Sequence, residues 1–182
     1  HDWGTDSEAR SNHARVGVIS AKLQASGLST WFDSERMRGD INAAMTDGID
    51  RSRIVLVFIT RNYLSKAAGL GPRGQSDNCY AEFGYSVNRK GVERLIAVVM
   101  EPACRDPSQW QGAVGLRLGS CLYLDCSADV GSAAFEAGVE SLKEEVRKRV
   151  GAAADEHGGG GGTMGGTCLL YTSDAADDRS CV

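Results

Sequence analysis

Residues 53–60 read RIVLVFIT, and this stretch decides the fold class. Six consecutive apolar residues, most of them β-branched, are typical of a strand that is buried on both faces of a parallel sheet. The run LIAVVM at residues 95–100 predicts a second strand of the same kind. Both runs are too short to span a bilayer, so we expect no membrane partner for this segment.

Apolar residues at helical spacing predict four helices around these strands. Residues 28–33 and 121–125 are predicted as short strands, and residues 61–75 and 102–120 as long loops. Alternating strands and helices favour an α/β fold with an open parallel sheet and helices on both faces. The positions that define the helices are Val16, Ile19 and Leu23; Ile41, Met45 and Ile49; Cys79, Phe83 and Val87; and Phe135, Val139, Leu142, Val146 and Val150.

The composition changes after His157, where five consecutive glycines begin. Such a run is typical of a flexible linker, since glycine has the most backbone freedom to lose on folding. We therefore interpret residues 1–157 as one domain. Residues 158–182 are interpreted as a Gly-rich linker followed by an unstructured tail that resembles translated vector sequence.

The charge and the metal-binding residue types exclude several function classes. A net charge of −4 does not indicate nucleic acid as a partner. The six cysteines contain no C-x-x-C pair. Their even number is compatible with disulfides, but we interpret them as reduced thiols in the cytoplasm. The three histidines have no metal-ligand spacing, and we expect no metal site.

The known nucleotide and hydrolase motifs do not account for this chain. GLGPRG at residues 69–74 matches G-x-G-x-x-G, but it lies too far from the strand ending at Thr60 and contains Pro72, so we interpret it as a loop. Neither a phosphate-binding loop with G-K-[ST] nor a G-x-S-x-G nucleophile motif occurs. His13 is expected on a helix face with a structural role.

Residues 76–87, SDNCYAEFGYSV, place Glu82 beside the apolar stripe of a short helix. One interpretation is a surface carboxylate near the helix N-terminus, where the helix dipole favours negative charge. Trp31 and Phe32 are expected to point to opposite faces of their strand. One of them is then a core residue, and the other is either core or a stacking surface at the carboxyl ends of the strands, where such folds bind ligands.

Four segments in order resemble a Toll/interleukin receptor homology (TIR) domain. They are residues 1–10 (HDWGTDSEAR), 30–64 (TWFDSERMRGDINAAMTDGIDRSRIVLVFITRNYL), 78–87 (NCYAEFGYSV) and 94–101 (RLIAVVME). The resemblance implies a flavodoxin-like sheet whose first strand lies between the strands at 28–33 and 53–60. We therefore expect a chain truncated just after that strand. The β-prone run TCLLYT at residues 167–172 is expected to occupy part of the gap.

The resemblance also implies partners and an activity. In this family the loop after the second strand mediates TIR–TIR contacts, which here implicates Glu35, Arg36, Met37, Arg38, Gly39 and Asp40. Enzymatic members cleave NAD+ between nicotinamide and ribose with one glutamate in a Ser-x-x-Cys-x-x-Glu motif followed by an apolar residue. Ser76, Cys79, Glu82 and Phe83 match that motif, whereas Asn78 stands where many active relatives have Trp.

The resemblance makes Glu82 the candidate catalytic residue, with NAD+ as substrate and no other cofactor. The candidate substrate-binding residues are Trp31, Phe32, Ser76, Asn78 and Cys79. One carboxylate suffices, because nicotinamide leaves as a neutral molecule and only the positive charge on the ribose needs stabilisation. We expect Glu82 in the crevice at the carboxyl ends of the strands, near Trp31 or Phe32. The alternative function is a non-catalytic signalling adaptor that acts through TIR–TIR contacts.

Overall fold

The computed structural model describes residues 1–32, 41–155 and 167–170. The described part contains five strands, which are β1 (Ser29–Trp31), β2 (Ile54–Ile59), β3 (Leu95–Val99), β4 (Tyr123–Asp125) and β5 (Thr167–Leu170). The helices are α1 (Asn12–Ala25), α2 (Ile41–Arg51), α3 (Arg61–Ala67), α4 (Asn78–Lys90), α5 (Gly112–Leu118) and α6 (Ala133–Asp155).

The strands form one sheet in the order β1-β5-β2-β3-β4, and every neighbouring pair is parallel. This is the strand order of a flavodoxin-like sheet, with β5 in the second position. The predicted fold class is therefore confirmed.

Strand β2 lies inside the sheet, and all six of its residues are buried. Val55, Val57 and Ile59 face the layer formed by α2, α3, α4 and α5. Leu56 and Phe58 face the opposite layer, formed by α1 and α6. This two-sided burial explains why RIVLVFIT has no polar alternation.

Strand β5 fills the position between β1 and β2. Thr167 pairs with Ser29 of β1, and Cys168 pairs with Ile54 of β2. The expectation that residues 167–172 occupy part of this gap is confirmed for residues 167–170. For these four residues the expectation of an unstructured tail is wrong, because a strand at this position supplies backbone hydrogen bonds to two neighbours that otherwise have open edges.

Two predicted loops each contain a short helix. Helix α3 occupies residues predicted as loop, and its first turn is capped by the Thr60 hydroxyl, which accepts a hydrogen bond from the Tyr63 N–H at 3.1 Å. Helix α5 lies in the second predicted loop and buries Val114 and Leu118, four residues apart. Each helix has only seven residues, too few for a clear helical period in the sequence.

The GLGPRG segment forms the connection between α3 and α4, as predicted. Gly69 and Gly74 adopt positive φ values of 71° and 57°, which residues with a Cβ rarely adopt. The segment does not join a strand to a helix, so it is not a dinucleotide-binding turn.

None of the helices in the described part of the chain has the length and apolar character needed to cross a membrane.

Candidate functional site

Helix α4 begins at Asn78 and is capped by Asp77, a residue that the sequence analysis did not single out. The Asp77 Oδ1 accepts a hydrogen bond from the Cys79 N–H at 2.9 Å, and the Asp77 side chain is fully buried. Ser76 ends a short 3-10 turn and is exposed, while Asn78 is half-buried. Asp77, rather than Ser76, therefore fixes where the helix starts.

Glu82 lies on the buried face of α4. Its relative exposure is 4%, comparable with the 0% of Cys79 and the 2% of Phe83 on the same face. The alternative of a surface carboxylate at the helix N-terminus is therefore wrong. The cause is the helical period, which puts residue 82 beside the stripe that packs on the sheet.

Glu82 is the one described residue that lines two adjacent cavities. The smaller cavity has a volume of about 10 Å³, enough for about one water molecule, and is bounded by β2 and His1. The larger cavity has a volume of about 140 Å³ and lies between α2 and α4. The described residues that line it besides Glu82 are Met45, Thr46, Ile49, Ala81 and Tyr85.

The structure places Glu82 beside the middle of β2. The smaller cavity contacts the interior strand residues Val55, Leu56 and Val57, so it does not lie beyond the carboxyl end of the strand as we expected. The reason is that Glu82 comes four residues after Asn78, where α4 begins, and the helix has by then descended about 6 Å along the sheet.

Tyr63 of α3 is a buried neighbour of this carboxylate. Burial raises the pKa of Tyr63 well above its ordinary value, and electrostatic interactions with Cys79 and Glu82 raise it further. The phenol therefore stays protonated over the physiological pH range. No pattern in the sequence indicated Tyr63, because its contact with α4 joins two helices that are separated by a glycine-rich loop.

Trp31 and Phe32 point to opposite faces of the sheet, as the strand period predicts. Trp31 packs against the cluster that contains Cys79 and Phe83. Phe32 packs on the other face, where its ring stacks on His13 at 5.1 Å and on His1 at 6.2 Å between ring centroids. Trp31 thus shares the face of Glu82.

His1 connects Phe32 with the Glu82 cavity. Its ring stacks on Phe32, and the same residue lines the smaller cavity with Glu82 and Ser86. Ser86 and Tyr85 follow Glu82 at helical spacing, so counting along α4 from Glu82 would have indicated both. His1 had no such signal, because its contact with Cys79 of α4 joins residues 78 positions apart in the chain.

His13 lies on α1 among aromatic rings, consistent with the structural role we expected. The Trp3 ring lies 4.2 Å from it, measured between ring centroids. Burial lowers the pKa of His13, which favours the neutral imidazole.

The part of the chain that the structure describes contains free thiols but no candidate metal site. Cys79, Cys104, Cys121 and Cys126 are free thiols. Over residues 1–32, 41–155 and 167–170, no group of three or more His, Cys, Asp or Glu side chains is arranged to hold a metal ion.

The predicted interaction loop, Glu35 to Asp40, lies outside the described residues.

Comparison with known families gives one match. The family model described as the TIR domain matches residues 7–143, which is more than half of the 182-residue chain. A search of the curated proteins and a search of the solved structures gave no match.

Proposed function

The chain belongs to the TIR domain family, a family of signalling and defence domains, and on this premise we propose that it cleaves NAD+ at the bond between nicotinamide and ribose. Glu82 is the proposed catalytic residue, and the proposed site of action is the cytoplasm. The observation that carries the proposal is that the Glu82 carboxylate is only 4% exposed and lies between two cavities that are lined largely by apolar side chains.

The chemistry of this bond suits a single buried carboxylate. When the bond from the ribose C1′ to the ring nitrogen breaks, both electrons leave with nicotinamide, which departs as a neutral molecule. The ribose becomes an oxocarbenium ion, which a water molecule attacks at C1′ with loss of a proton. An anion stabilises that cation more strongly beside apolar side chains than in water, so Glu82 lowers the barrier without a second acid.

The volume of the larger cavity limits how the substrate binds. A protein cavity of about 150 Å³ holds benzene. The cavity of about 140 Å³ between α2 and α4 therefore suits a single ring and not a dinucleotide. We assign the nicotinamide ring to it, against Met45, Ile49 and Tyr85, with the ribose at Glu82 and the rest of the substrate outside the cavity.

Nicotinamide release from NAD+ tests the proposal directly. The full chain is incubated with NAD+ at several protein concentrations, and nicotinamide is followed by chromatography. Glu82→Gln keeps the side-chain size and removes the charge, so we expect release to fall by about 10²–10³-fold, the usual cost of losing one electrostatic contact to a transition state. Glu140→Gln, on the exposed face of α6, is the matched control and should leave the rate unchanged.

Two results would contradict the proposal. One is no release by the unmodified chain at concentrations at which it self-associates. The other is equal release by the unmodified chain and by Glu82→Gln, provided that circular dichroism shows the variant to be folded.

Asn78 favours a second candidate, a non-catalytic adaptor. Many active relatives have Trp at this position, and the half-buried Asn78 offers no aromatic surface there. TIR domains generally interact with other TIR domains, and an adaptor needs only that property. Sedimentation across a concentration series should show that the chain self-associates. Glu82→Gln should leave this self-association unchanged.

The predicted loop gives this second candidate its own variants. Arg36→Ala and Arg38→Ala should each weaken self-association, while Lys148→Ala, an exposed cation on α6, should not. If self-association is unchanged in both Arg36→Ala and Arg38→Ala, the loop is not the interface.

A further inference from the structure

A third cavity lies at the carboxyl ends of β2 and β3, away from Glu82. It has a volume of about 330 Å³ and is formed where α3 leaves β2 and where the turns after β3 pass beside it. Small-molecule pockets in proteins start at about 300 Å³. Open α/β sheets bind ligands outside the carboxyl ends of their strands, which is where this cavity lies.

Arg61 gives this cavity a positive charge. Its side chain lines the cavity, is exposed and forms no ion pair with any described carboxylate. Glu101, at the end of β3, is 1% exposed, and its carboxylate accepts hydrogen bonds from the backbone N–H groups of Arg61 at 2.9 Å and of Ser7 at 3.3 Å. The Glu101 carboxylate is thus engaged by the backbone, and the guanidinium is available to a ligand.

The described walls of the cavity carry no opposing charge. None of the described lining residues is acidic. Burial raises the pKa of the Cys104 thiol to about 12, and Glu101 also raises it while the Arg61 charge lowers it. Cys104 is therefore a neutral thiol at physiological pH, so Arg61 is the one charged side chain among the described lining residues.

The other described lining residues combine apolar side chains with exposed amides. Leu64 of α3, Ala103 and Trp110 are the apolar lining residues of the cavity. The Trp110 indole N–H donates a hydrogen bond to the Cys104 carbonyl oxygen at 2.8 Å, which holds the ring in place. The exposed amides of Gln109 and Gln111 supply further hydrogen-bond donors.

From these features we propose that the cavity binds a small planar carboxylate. The carboxylate pairs with the guanidinium of Arg61, a geometry in which two N–H groups match two oxygens. The flat apolar part of the ligand lies against Leu64 and Trp110. This site shares no described lining residue with the Glu82 cavities, so it stands independently of NAD+ cleavage.

Benzoate and benzamide form a matched pair of probes, because they have the same shape and differ in charge. Each is titrated into the full, isotope-labelled chain, and the backbone amides of residues 109–111 and the Trp110 indole N–H are followed by NMR. We expect saturable shifts with benzoate and at least about tenfold weaker binding of benzamide, since hydrogen bonds to a charged group contribute about 1.5–3 kcal/mol.

Three variants separate this site from general attraction of anions. Arg61→Gln should weaken benzoate binding at least about tenfold for the same reason. Ala103→Phe fills the cavity and should abolish the saturable shifts while Arg61 remains. Arg117→Gln, an exposed arginine of α5 outside the cavity, should leave binding unchanged.

Any of four results would overturn the proposal. They are the absence of saturable shifts with benzoate, equal binding of benzoate and benzamide, unchanged binding in Arg61→Gln or Ala103→Phe, and equal losses in Arg61→Gln and Arg117→Gln.

Discussion

The guanidinium of Arg15 donates a hydrogen bond from Nη1 to the carbonyl oxygen of Met100 at 2.6 Å. Its Nη2 donates to the carbonyl oxygens of Cys126 at 2.9 Å and of Ala128 at 3.1 Å. Arg15 is 5% exposed, so one buried cation of α1 joins the ends of β3 and β4. Asp6, fully buried, faces the same guanidinium at 3.2 Å and balances its charge.

Arg15→Met should therefore be strongly destabilising. The substitution keeps much of the apolar stem but leaves the carbonyl oxygens of Met100, Cys126 and Ala128 without their donor. Each unsatisfied buried acceptor costs about 1–3 kcal/mol, while Asp6 keeps its ion pair with Arg10. Urea denaturation measures the free energy of unfolding. The control is Arg147→Met on the exposed face of α6, which should change that energy by less than about 0.5 kcal/mol. Equal losses in the two variants would contradict this role of Arg15.

Asp6 should make the stability fall in acid. Burial by itself raises the pKa of Asp6, but hydrogen bonds from Arg10 and from the Glu8 N–H lower it below the ordinary value of 3.8. Below pH 3.8 the unfolded chain therefore binds the proton more readily than the folded chain does. The stabilisation is complete above that pH and is lost as the pH falls through the folded value.

Asp6→Asn tests this pH dependence. The variant should be less stable than the unmodified chain at neutral pH, and the difference should shrink as the pH falls below about 4. Asp47→Asn, which removes an exposed partner of Arg51, is the control and should give a small difference at all pH values. A difference for Asp6→Asn that stays constant with pH would contradict the prediction.

Phe83→Ala should destabilise the helix that carries Glu82. Phe83 is 2% exposed in the layer between α4 and the sheet, and truncation of such a ring costs about 3–5 kcal/mol. Leu122, 90% exposed, is the control, and Leu122→Ala should change the free energy of unfolding by less than about 0.5 kcal/mol. Thermal or urea unfolding measures both, and a loss below 1 kcal/mol for Phe83→Ala would show that α4 packs differently.

Cys168→Pro should test whether β5 belongs to the sheet. Proline removes a backbone N–H from a strand that has neighbours on both sides, which leaves a buried acceptor unsatisfied at a cost of about 1–3 kcal/mol. Cys168→Val retains the N–H and suits a strand, so it is the matched control. Hydrogen exchange should accelerate in β1 and β2 only in the proline variant, and no difference between the variants would exclude residues 167–170 from the sheet.

The sequence predicted those elements whose burial leaves a local pattern. Strands β2 and β3 are apolar without interruption because both of their faces are covered, and α4 shows its buried face through Cys79 and Phe83. The position of β5 was expected only from the family resemblance, which implied a strand between β1 and β2. Helices α3 and α5 were missed, since two turns of helix are too short to show a period.

The candidate site was predictable only in part, because its contacts are long-range. Glu82 came from a motif confined to residues 76–83, at the start of α4. The approach of His1 and Tyr63 to that carboxylate depends on how distant segments pack. Arg15 illustrates the same limit, since a lone arginine on an amphipathic helix is usually exposed, and only the ends of β3 and β4 make it a buried cation.

The placement of β5 has a consequence for how the chain acquires its fold. Residue 29 pairs with residue 167, and residue 54 with residue 168, so the interior of the sheet is completed by a segment that follows every other described strand and helix in the sequence. Pairings this distant in sequence close slowly, because a long loop must be ordered before they form. On the ribosome, β1 and β2 are therefore synthesised long before β5, the strand that lies between them.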